Sequence, residues 1–196
     1  MIQKLKRDAP FVKVVLIVSL EPEKELFKKL NIDGVYVFLA PNKPLGLKWQ
    51  TGVNEAKKLN AKPLIICGSD DQLGSCFVKN ACYLINKYEF IGLKRFYVLH
   101  KKKTYTIDYK PAMPIGGGRI YSKKLLDKIK WKVFNPGKNK HLDDDGWKAA
   151  IQNTDRLLLV SNIKQQGLEL TAIKGSWSMM NPFNPYHPNI SILCVE

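Results

Sequence analysis

Residues 63–71, Pro-Leu-Ile-Ile-Cys-Gly-Ser-Asp-Asp, constrain the fold more than any other stretch of this chain. The apolar run 64–67 is short and rich in branched side chains, which is typical of a buried central β-strand, and Gly68 ends it. Asp70 and Asp71 follow at the carboxyl end of that strand, where open α/β sheets place their ligands. We therefore expect both carboxylates to project into solvent from a rigid base.

Adjacent carboxylates repel each other unless a cation, a basic group or hydrogen bonds compensate their charge. Oxygen ligands of this kind suit hard divalent ions such as Mg²⁺ or Mn²⁺. The turn therefore predicts a divalent metal site with Asp71 and Asp70 as ligands, and His187 in the C-terminal tail is a further candidate ligand. A solvated acidic turn is the alternative, and the tripeptide alone does not distinguish the two.

Apolar periodicity predicts alternating strands and helices around this stretch. Strands at 12–18 and 35–40 alternate with helices at 23–30 and 47–59. This order predicts an α/β fold with a mixed, mostly parallel central sheet flanked by helices. Further along, the pattern predicts helices at 73–87, 123–129 and 146–152, strands at 157–160 and 168–173, and two strands at 90–99 and 104–109 joined by a basic hairpin turn.

Composition limits the number of domains and the kinds of partner this chain can have. A chain of 196 residues is most simply one domain, 1–196, and its 45% hydrophobic and 25% charged residues are ordinary for a globular protein. The net charge of +15 predicts attraction to nucleotide phosphates, nucleic acid or an anionic membrane surface. A general lysine bias would give the same charge without a function. Arginine is scarce, which weakens a base-reading role.

The four cysteines, Cys67, Cys76, Cys82 and Cys194, show no CxxC spacing. Reduced thiols are the simplest interpretation, so we expect a reducing compartment and a cytoplasmic protein, soluble or peripheral. No apolar run is long enough to cross a bilayer, and 12–20 reads as a first strand because no small-residue cleavage site follows it.

Five features occur in a fixed order along residues 12–152. They are the loop Ser19-Leu20-Glu21, the stretch 42–48 ahead of a helix, the turn Ser69-Asp70-Asp71, the glycine triplet 116–118 followed by Arg119, and the cluster Asp143-Asp144-Asp145 that opens a helix. Together they resemble a small GT-A glycosyltransferase of the family-2 type, a class with an acidic DXD-like motif at the end of a central strand. Ser69 stands in place of that motif's first aspartate.

The resemblance implies a nucleotide-diphosphate sugar as donor and a carbohydrate acceptor. The nucleotide-binding half would cover about 10–110 and the acceptor half about 111–196. Asp71, as metal ligand, and Asp70, beside the metal or ribose, would lie at the donor diphosphate. The expected donor-binding residues are Ser19, Glu21, Asn42, Lys43, Lys48, Asp70, Gly117 and Gly118.

The reaction needs charge stabilisation and a base. Departure of a nucleoside diphosphate builds negative charge that a divalent ion can stabilise. The acceptor hydroxyl is a poor nucleophile, so direct displacement with inversion requires a carboxylate base. Asp144 is the first choice and Asp143 the second. Acidic residues at a helix start are also favoured by capping and by the helix dipole, so a purely structural role is the alternative.

Two other function classes are compatible with a basic α/β chain. Sugar nucleotidyl transfer would need a glycine-rich loop with a basic residue directly after the first strand, and Ser19-Leu20-Glu21-Pro22 lacks it. A basic nucleic-acid-binding domain would show a stripe of lysines and aromatics, whereas the aromatics here are scattered. No nucleic-acid partner is therefore expected.

Overall fold

The computed structural model describes residues 2–174 and the backbone of residues 190–195. Its helices are α1 (Ile2–Asp8), α2 (Glu21–Lys29), α3 (Leu45–Lys58), α4 (Phe77–Leu84), α5 (Lys123–Lys128) and α6 (Leu142–Ile151). Its strands are β1 (Val14–Val18), β2 (Val35–Leu39), β3 (Leu64–Ile66), β4 (Asp71–Leu73), β5 (Phe90–Leu93), β6 (Arg95–His100), β7 (Lys103–Tyr109), β8 (Arg119–Tyr121), β9 (Leu157–Val160), β10 (Leu170–Lys174) and β11 (Ile190–Val195).

The predicted α/β class with mixed sheets is confirmed. The described strands fall into three sheets, with the orders β1-β2, β11-β7-β6-β10-β4 and β3-β8-β5-β9. The expectation of one central, mostly parallel sheet is met only in part. Parallel pairs join β1 to β2, β5 to β9 and β6 to β10, while β4/β10, β5/β8, β6/β7 and β7/β11 are antiparallel.

The chain divides into two compact units that alternate along the sequence. The first unit comprises residues 1–64 and 122–155, and the second comprises 65–121 and 156–196. The predicted division into a nucleotide-binding half and an acceptor half remains a prediction.

In the first unit, β1 and β2 pair in parallel from Val14 opposite Val35 to Val18 opposite Leu39. Helix α2 packs on both strands and α3 packs on β1. Val53 and Ala56 are buried on α3, as its helical periodicity predicts.

The second unit has a core between α4 and the four-stranded sheet. Phe77 and Ala81 of α4 pack with Ile91, Leu93 and other buried residues, namely Ile120, Val160, Ile163, Leu168 and Leu170. A smaller apolar cluster, formed by Val98, Ile107 and Ala172, lies on the five-stranded sheet.

The single strand predicted at 90–99 is wrong, because the chain changes sheets at Lys94. The Lys94 amide donates to the carbonyl of Val160 over 2.8 Å, which ends the pairing of β5 with β9. The Lys94 carbonyl accepts from the Tyr109 amide over 2.7 Å, which begins the pairing of β6 with β7. The predicted antiparallel hairpin of β6 and β7 is confirmed.

The helix predicted at 73–87 begins later, at Phe77, because residues 71–73 form β4 instead. Asp71 pairs with Ala172 and Leu73 with Leu170. The Gly74 amide then donates to the carbonyl of Glu169 over 2.8 Å. Pairing with a distant strand therefore overrides the helical periodicity of this stretch.

Among residues 2–174, no helix is both long enough and apolar enough to span a membrane.

Candidate functional site

The loops after β1 and β2 meet in the first unit. Ser19 Oγ lies 3.4 Å from Asn42 Oδ1, and Lys48 Nζ lies 3.4 Å from the same oxygen. Ser19 follows β1, Asn42 follows β2, and Lys48 lies in the first turn of α3. Parallel strands place their carboxyl ends at one edge of a sheet, so three of the predicted donor-binding residues are brought together there.

Glu21 and Lys43 were also predicted to bind the donor. Glu21 is exposed and forms an ion pair with Lys24 over 2.9 Å. The neighbouring Glu23 holds the loop instead, because its carboxylate accepts the amides of Ser19 at 3.2 Å and Leu20 at 3.3 Å. Lys43 is exposed in the loop before α3, where its ammonium faces solvent.

The start of α3 is held by a second segment of the first unit, which we call the 135–139 loop. The Gly46 amide donates to the carbonyl of Lys138 over 2.8 Å, and the Leu45 amide donates to Asn139 Oδ1 over 3.0 Å. A Cβ at Gly46 would lie 2.0 Å from the Asn135 carbonyl oxygen. Only glycine fits this approach without movement of the loop, and the first amides of α3 are used by the loop.

The residues before this loop are fixed along α3 by Gln50. Its amide nitrogen donates to the Trp131 carbonyl over 2.7 Å, and its oxygen accepts the amides of Val133 at 3.1 Å and Phe134 at 2.9 Å. Gln50 is buried, so these bonds satisfy backbone groups that water does not reach. The Trp49 ring lies 5.5 Å from the ring of Phe134.

Asp145 connects the 135–139 loop to α6. Its Oδ1 lies 2.5 Å from Lys138 Nζ, and its Oδ2 accepts the Asn135 amide over 3.2 Å. The acidic cluster thus opens α6, which begins at Leu142, earlier than the predicted start at 146. Asp145 has a structural role, in keeping with the helix-start alternative.

Asp143 and Asp144 lie in the same first turn of α6. The helix dipole stabilises negative charge at this position. Asp143 is exposed, and the Asp144 side chain keeps 35% of its surface exposed. His141, the residue before α6, has a left-handed backbone conformation with φ of 56° and places Nδ1 3.8 Å from Asp144 Oδ2.

In the second unit, the Ser69-Asp70-Asp71 turn differs from expectation. Asp71 is 8% exposed, so the prediction that it projects into solvent is wrong. Its Oδ2 accepts the Gly68 amide over 2.7 Å, and its backbone belongs to β4. The carboxylate is buried because pairing of β4 with β10 draws the turn back onto the sheet.

Asp70 is partly exposed and forms an ion pair with Lys174 at the end of β10. Its carbonyl also accepts the Ile173 amide over 2.7 Å. A lysine therefore supplies positive charge where the sequence predicts a metal ion.

Burial of the Cys67 thiol, reinforced by the Asp71 carboxylate, raises the pKa of Cys67 to about 12, and a backbone hydrogen bond involving Gly118 opposes the shift. The thiol is therefore protonated at neutral pH.

The glycines predicted to contact the donor have packing roles in the second unit. A Cβ at Gly117 would lie 2.3 Å from Asp71 Oδ2. Gly118 has φ of +71°, and a Cβ there would lie 2.8 Å from Leu170 Cδ1. Its amide donates to the Ile66 carbonyl over 2.8 Å. Both glycines are thus explained by close approach within the unit, and donor contact by them remains a prediction.

The described residues do not complete a divalent metal site. Asp70 is paired with Lys174, and Asp71 is buried. Within residues 2–174, no group of three or more His, Cys, Asp and Glu side chains is arranged to hold a metal ion. His187 lies outside the described residues, so its predicted part in the site remains a prediction.

Sequence reasoning did not identify several residues that hold the first-unit site together. The contacts of Gln50 with the backbone of residues 131–134 give no local signal, because these partners lie more than 80 residues away. Lys138 lies between the helices predicted at 123–129 and 146–152, where the pattern predicts no element, and Glu23 is predicted only as the first residue of a helix. Glu23 is the third residue of α2, three positions after the N-cap residue Leu20, and a glutamate at that position is a capping signal that the sequence contains.

The chain matches no protein-family model and no curated protein. One solved transferase is weakly similar. It is the crystal structure of mannose-1-phosphate geranyltransferase from Thermus thermophilus, with 16% sequence identity and a TM-score of 0.35. The alignment covers 87% of this chain and 62% of that one. The likeness is too weak to carry an argument about fold or activity.

Proposed function

We propose that this chain is an inverting glycosyltransferase that moves a sugar from a nucleotide-diphosphate sugar to a carbohydrate hydroxyl. The proposal rests on one observation within the first unit. The loops that follow two parallel strands suit nucleotide binding. They are connected through the 135–139 loop to the acidic start of α6, which can supply a general base.

The connection runs through three contacts. Lys48 and Ser19 meet at Asn42, α3 is bonded to the 135–139 loop at Gly46, and that loop is bonded to α6 at Asp145. The loops after β1 and β2 and the acidic turn are therefore connected through one set of contacts within the first unit.

Lys48, and Lys43 next to Asn42 in the chain, suit a diphosphate. The first amides of α3 are occupied by the 135–139 loop, so phosphate oxygens would depend on ammonium groups here. Lys43 is exposed and Lys48 is half-buried beside Asn42, and we assign these two to the phosphates. Ser19 and Asn42 offer a hydroxyl and an amide to the nucleoside, and Glu21 is retained as a second choice.

The acidic turn supports Asp144 as the general base. Asp145 is engaged by two partners of the 135–139 loop, and a base must be accessible to the acceptor hydroxyl. Asp144 is partly exposed with His141 beside it, and Asp143 is the second candidate. The carboxylate removes the hydroxyl proton as the oxygen attacks the anomeric carbon and the nucleoside diphosphate leaves from the opposite face.

A divalent ion, Mn²⁺ or Mg²⁺, is the proposed cofactor, and when bound it would supply positive charge that stabilises a developing anion. Asp71 and Asp70 remain the proposed ligands, although the described residues alone do not complete the site. No step of the proposed reaction is routed through the metal.

The test is donor binding followed by product analysis. A panel of nucleotide-diphosphate sugars is screened by thermal shift with and without Mn²⁺, since a ligand at about 100 times its Kd adds roughly 2.7 kcal/mol of stability. Lys48→Met should lower the affinity for whichever donor the screen identifies. Lys57→Met, on the last turn of the same helix, makes the same charge change away from Asn42 and should not.

The released product separates the proposed reaction from the main alternative. A glycosyltransferase releases a nucleoside diphosphate when an acceptor is supplied. Sugar nucleotidyl transfer releases pyrophosphate from a nucleoside triphosphate and a sugar phosphate. Pyrophosphate release, or failure of every nucleotide sugar to bind, would contradict the proposal.

A further inference from the structure

The tip of the β6–β7 hairpin has an unusual turn. His100 pairs with Lys103, so Lys101 and Lys102 alone form the loop. Both have left-handed backbone conformations, with φ of 48° and 65°. Two-residue turns of this kind favour Asn and Gly, because a longer side chain is disfavoured where φ is positive.

The tip is also the most concentrated positive charge on the hairpin. Lys101, Lys102 and Lys103 are consecutive and exposed. Residues 94–110 contain six basic residues and one acidic residue. That acid, Asp108, lies 3.5 Å from Arg95 and opposite it in the register, at the other end of the hairpin from the tip.

The two lysines therefore give this turn a higher conformational free energy than Asn-Gly would give it. From this charge and geometry we propose that the hairpin tip, residues 101–103, docks on the surface of an anionic phospholipid membrane. The paired strands β6 and β7 hold the tip in place, so its ammonium groups approach headgroup phosphates without the ordering of a flexible segment.

The composition of the hairpin favours lipid headgroups over nucleic acid. The tip contains only lysine, a point charge that does not need the bidentate geometry used by arginine. Single-stranded nucleic acid is held by accessible aromatic side chains on which bases stack. Tyr97 and Tyr105 of the hairpin are only partly exposed, and both already have interaction partners.

The experiment measures co-sedimentation of the whole chain with phosphatidylcholine vesicles that do or do not contain phosphatidylglycerol. The wild-type chain should bind the anionic vesicles alone, and added salt should weaken the binding. Replacing all three tip lysines with Gln should lower the affinity roughly a hundredfold, since each lysine near such a surface contributes about fivefold. A control with Lys29→Gln, Lys57→Gln and Lys79→Gln, which are exposed on helices, has the same net charge and should bind nearly as well as wild type.

A second variant separates charge from folding. Lys101→Asn with Lys102→Gly removes two charges and introduces the residues that this turn favours, so Tm should rise while vesicle affinity falls roughly thirtyfold. Lack of wild-type binding, an equal loss in the helical control, or retained binding in both hairpin variants would overturn the proposal. Displacement from the vesicles by RNA at equal phosphate concentration, through the same three lysines, would assign the tip to nucleic acid instead.

Discussion

The backbone amide of Gly46 donates a hydrogen bond to the carbonyl oxygen of Lys138 over 2.8 Å, which places α3 against the 135–139 loop. Gly46→Ala should break this approach, because the new Cβ would lie 2.0 Å from the Asn135 carbonyl oxygen. We expect a loss of about 1–3 kcal/mol in the free energy of unfolding, measured in urea. Donor affinity and transfer should fall together.

Gly52→Ala is the matched control on the same helix. Its Cβ would meet only the Ile17 side chain, at 3.2 Å, and alanine favours a helix interior by about 0.5–1 kcal/mol. We expect it to be neutral or slightly stabilising. Equal losses in the two variants would show that the contact between α3 and the loop has no special role.

Asp144→Ala should lower transfer to the acceptor by about 10²–10⁴-fold while donor Kd stays nearly unchanged, because a base contributes in the transition state. NMR of the product should show an inverted anomeric centre. Asp145→Asn is the comparison, since Asp145 contacts Lys138 and accepts the Asn135 amide. This variant should lower the free energy of unfolding more than it affects the transfer step. Retained configuration, or full activity of both Asp143→Ala and Asp144→Ala, would reduce the acidic turn to a helix cap.

Metal dependence is tested at the buried carboxylate of the second unit. Asp71→Asn keeps an oxygen that can accept the Gly68 amide and removes the charge, so the fold should survive while metal-dependent turnover falls by orders of magnitude. A chelator should have the same effect on the wild-type chain. Normal turnover by the variant, or by wild type in the presence of a chelator, would show that the metal assignment is wrong. The ion pair between Asp70 and Lys174 would then be what compensates the charge of Asp70.

The raised pKa of Cys67 predicts a loss of stability in alkali. Its folded-state pKa is about 12 against an ordinary value of 9.0, so the thiol is protonated in both states below pH 9.0. As pH rises above 9.0, the unfolded chain loses this proton first, and unfolding becomes easier by up to ~1.4 kcal/mol per pH unit until the folded pKa is reached. Urea unfolding should therefore show a shallower alkaline loss for Cys67→Ala than for wild type. Cys76→Ala, which removes an exposed thiol, should follow wild type.

The elements that sequence predicted best are those whose signal is local. The apolar run 157–160 becomes β9 with the predicted bounds, and the alternation on either side of residues 101 and 102 becomes the β6–β7 hairpin. In contrast, the change of sheet at Lys94 depends on hydrogen bonds to Val160 and Tyr109, which local patterns do not encode.

In the candidate site, too, local sequence signals were predictable and contacts between distant residues were not. The proximity of Ser19, Asn42 and Lys48 was predictable because strand ends in a parallel pair share an edge, and donor binding by these residues remains a prediction. The burial of Asp71 was not, since the short sequence Asp-Gln-Leu has no strand pattern and becomes β4 only by pairing with β10. The anchoring of Asp145 by Lys138 was equally hidden, because a salt bridge across an irregular loop has no fixed spacing.

The alternation of the two units along the chain sets an order of assembly during synthesis. The first unit cannot be completed until α6 leaves the ribosome, because residues 122–155 belong to it together with residues 1–64. The second unit must then still wait for β9 and β10, which follow residue 155. Pairing over such separations slows folding, because chain closure comes before the contacts that favour it. Nascent β5 and β6 therefore spend part of translation with edges whose partners have not yet been made.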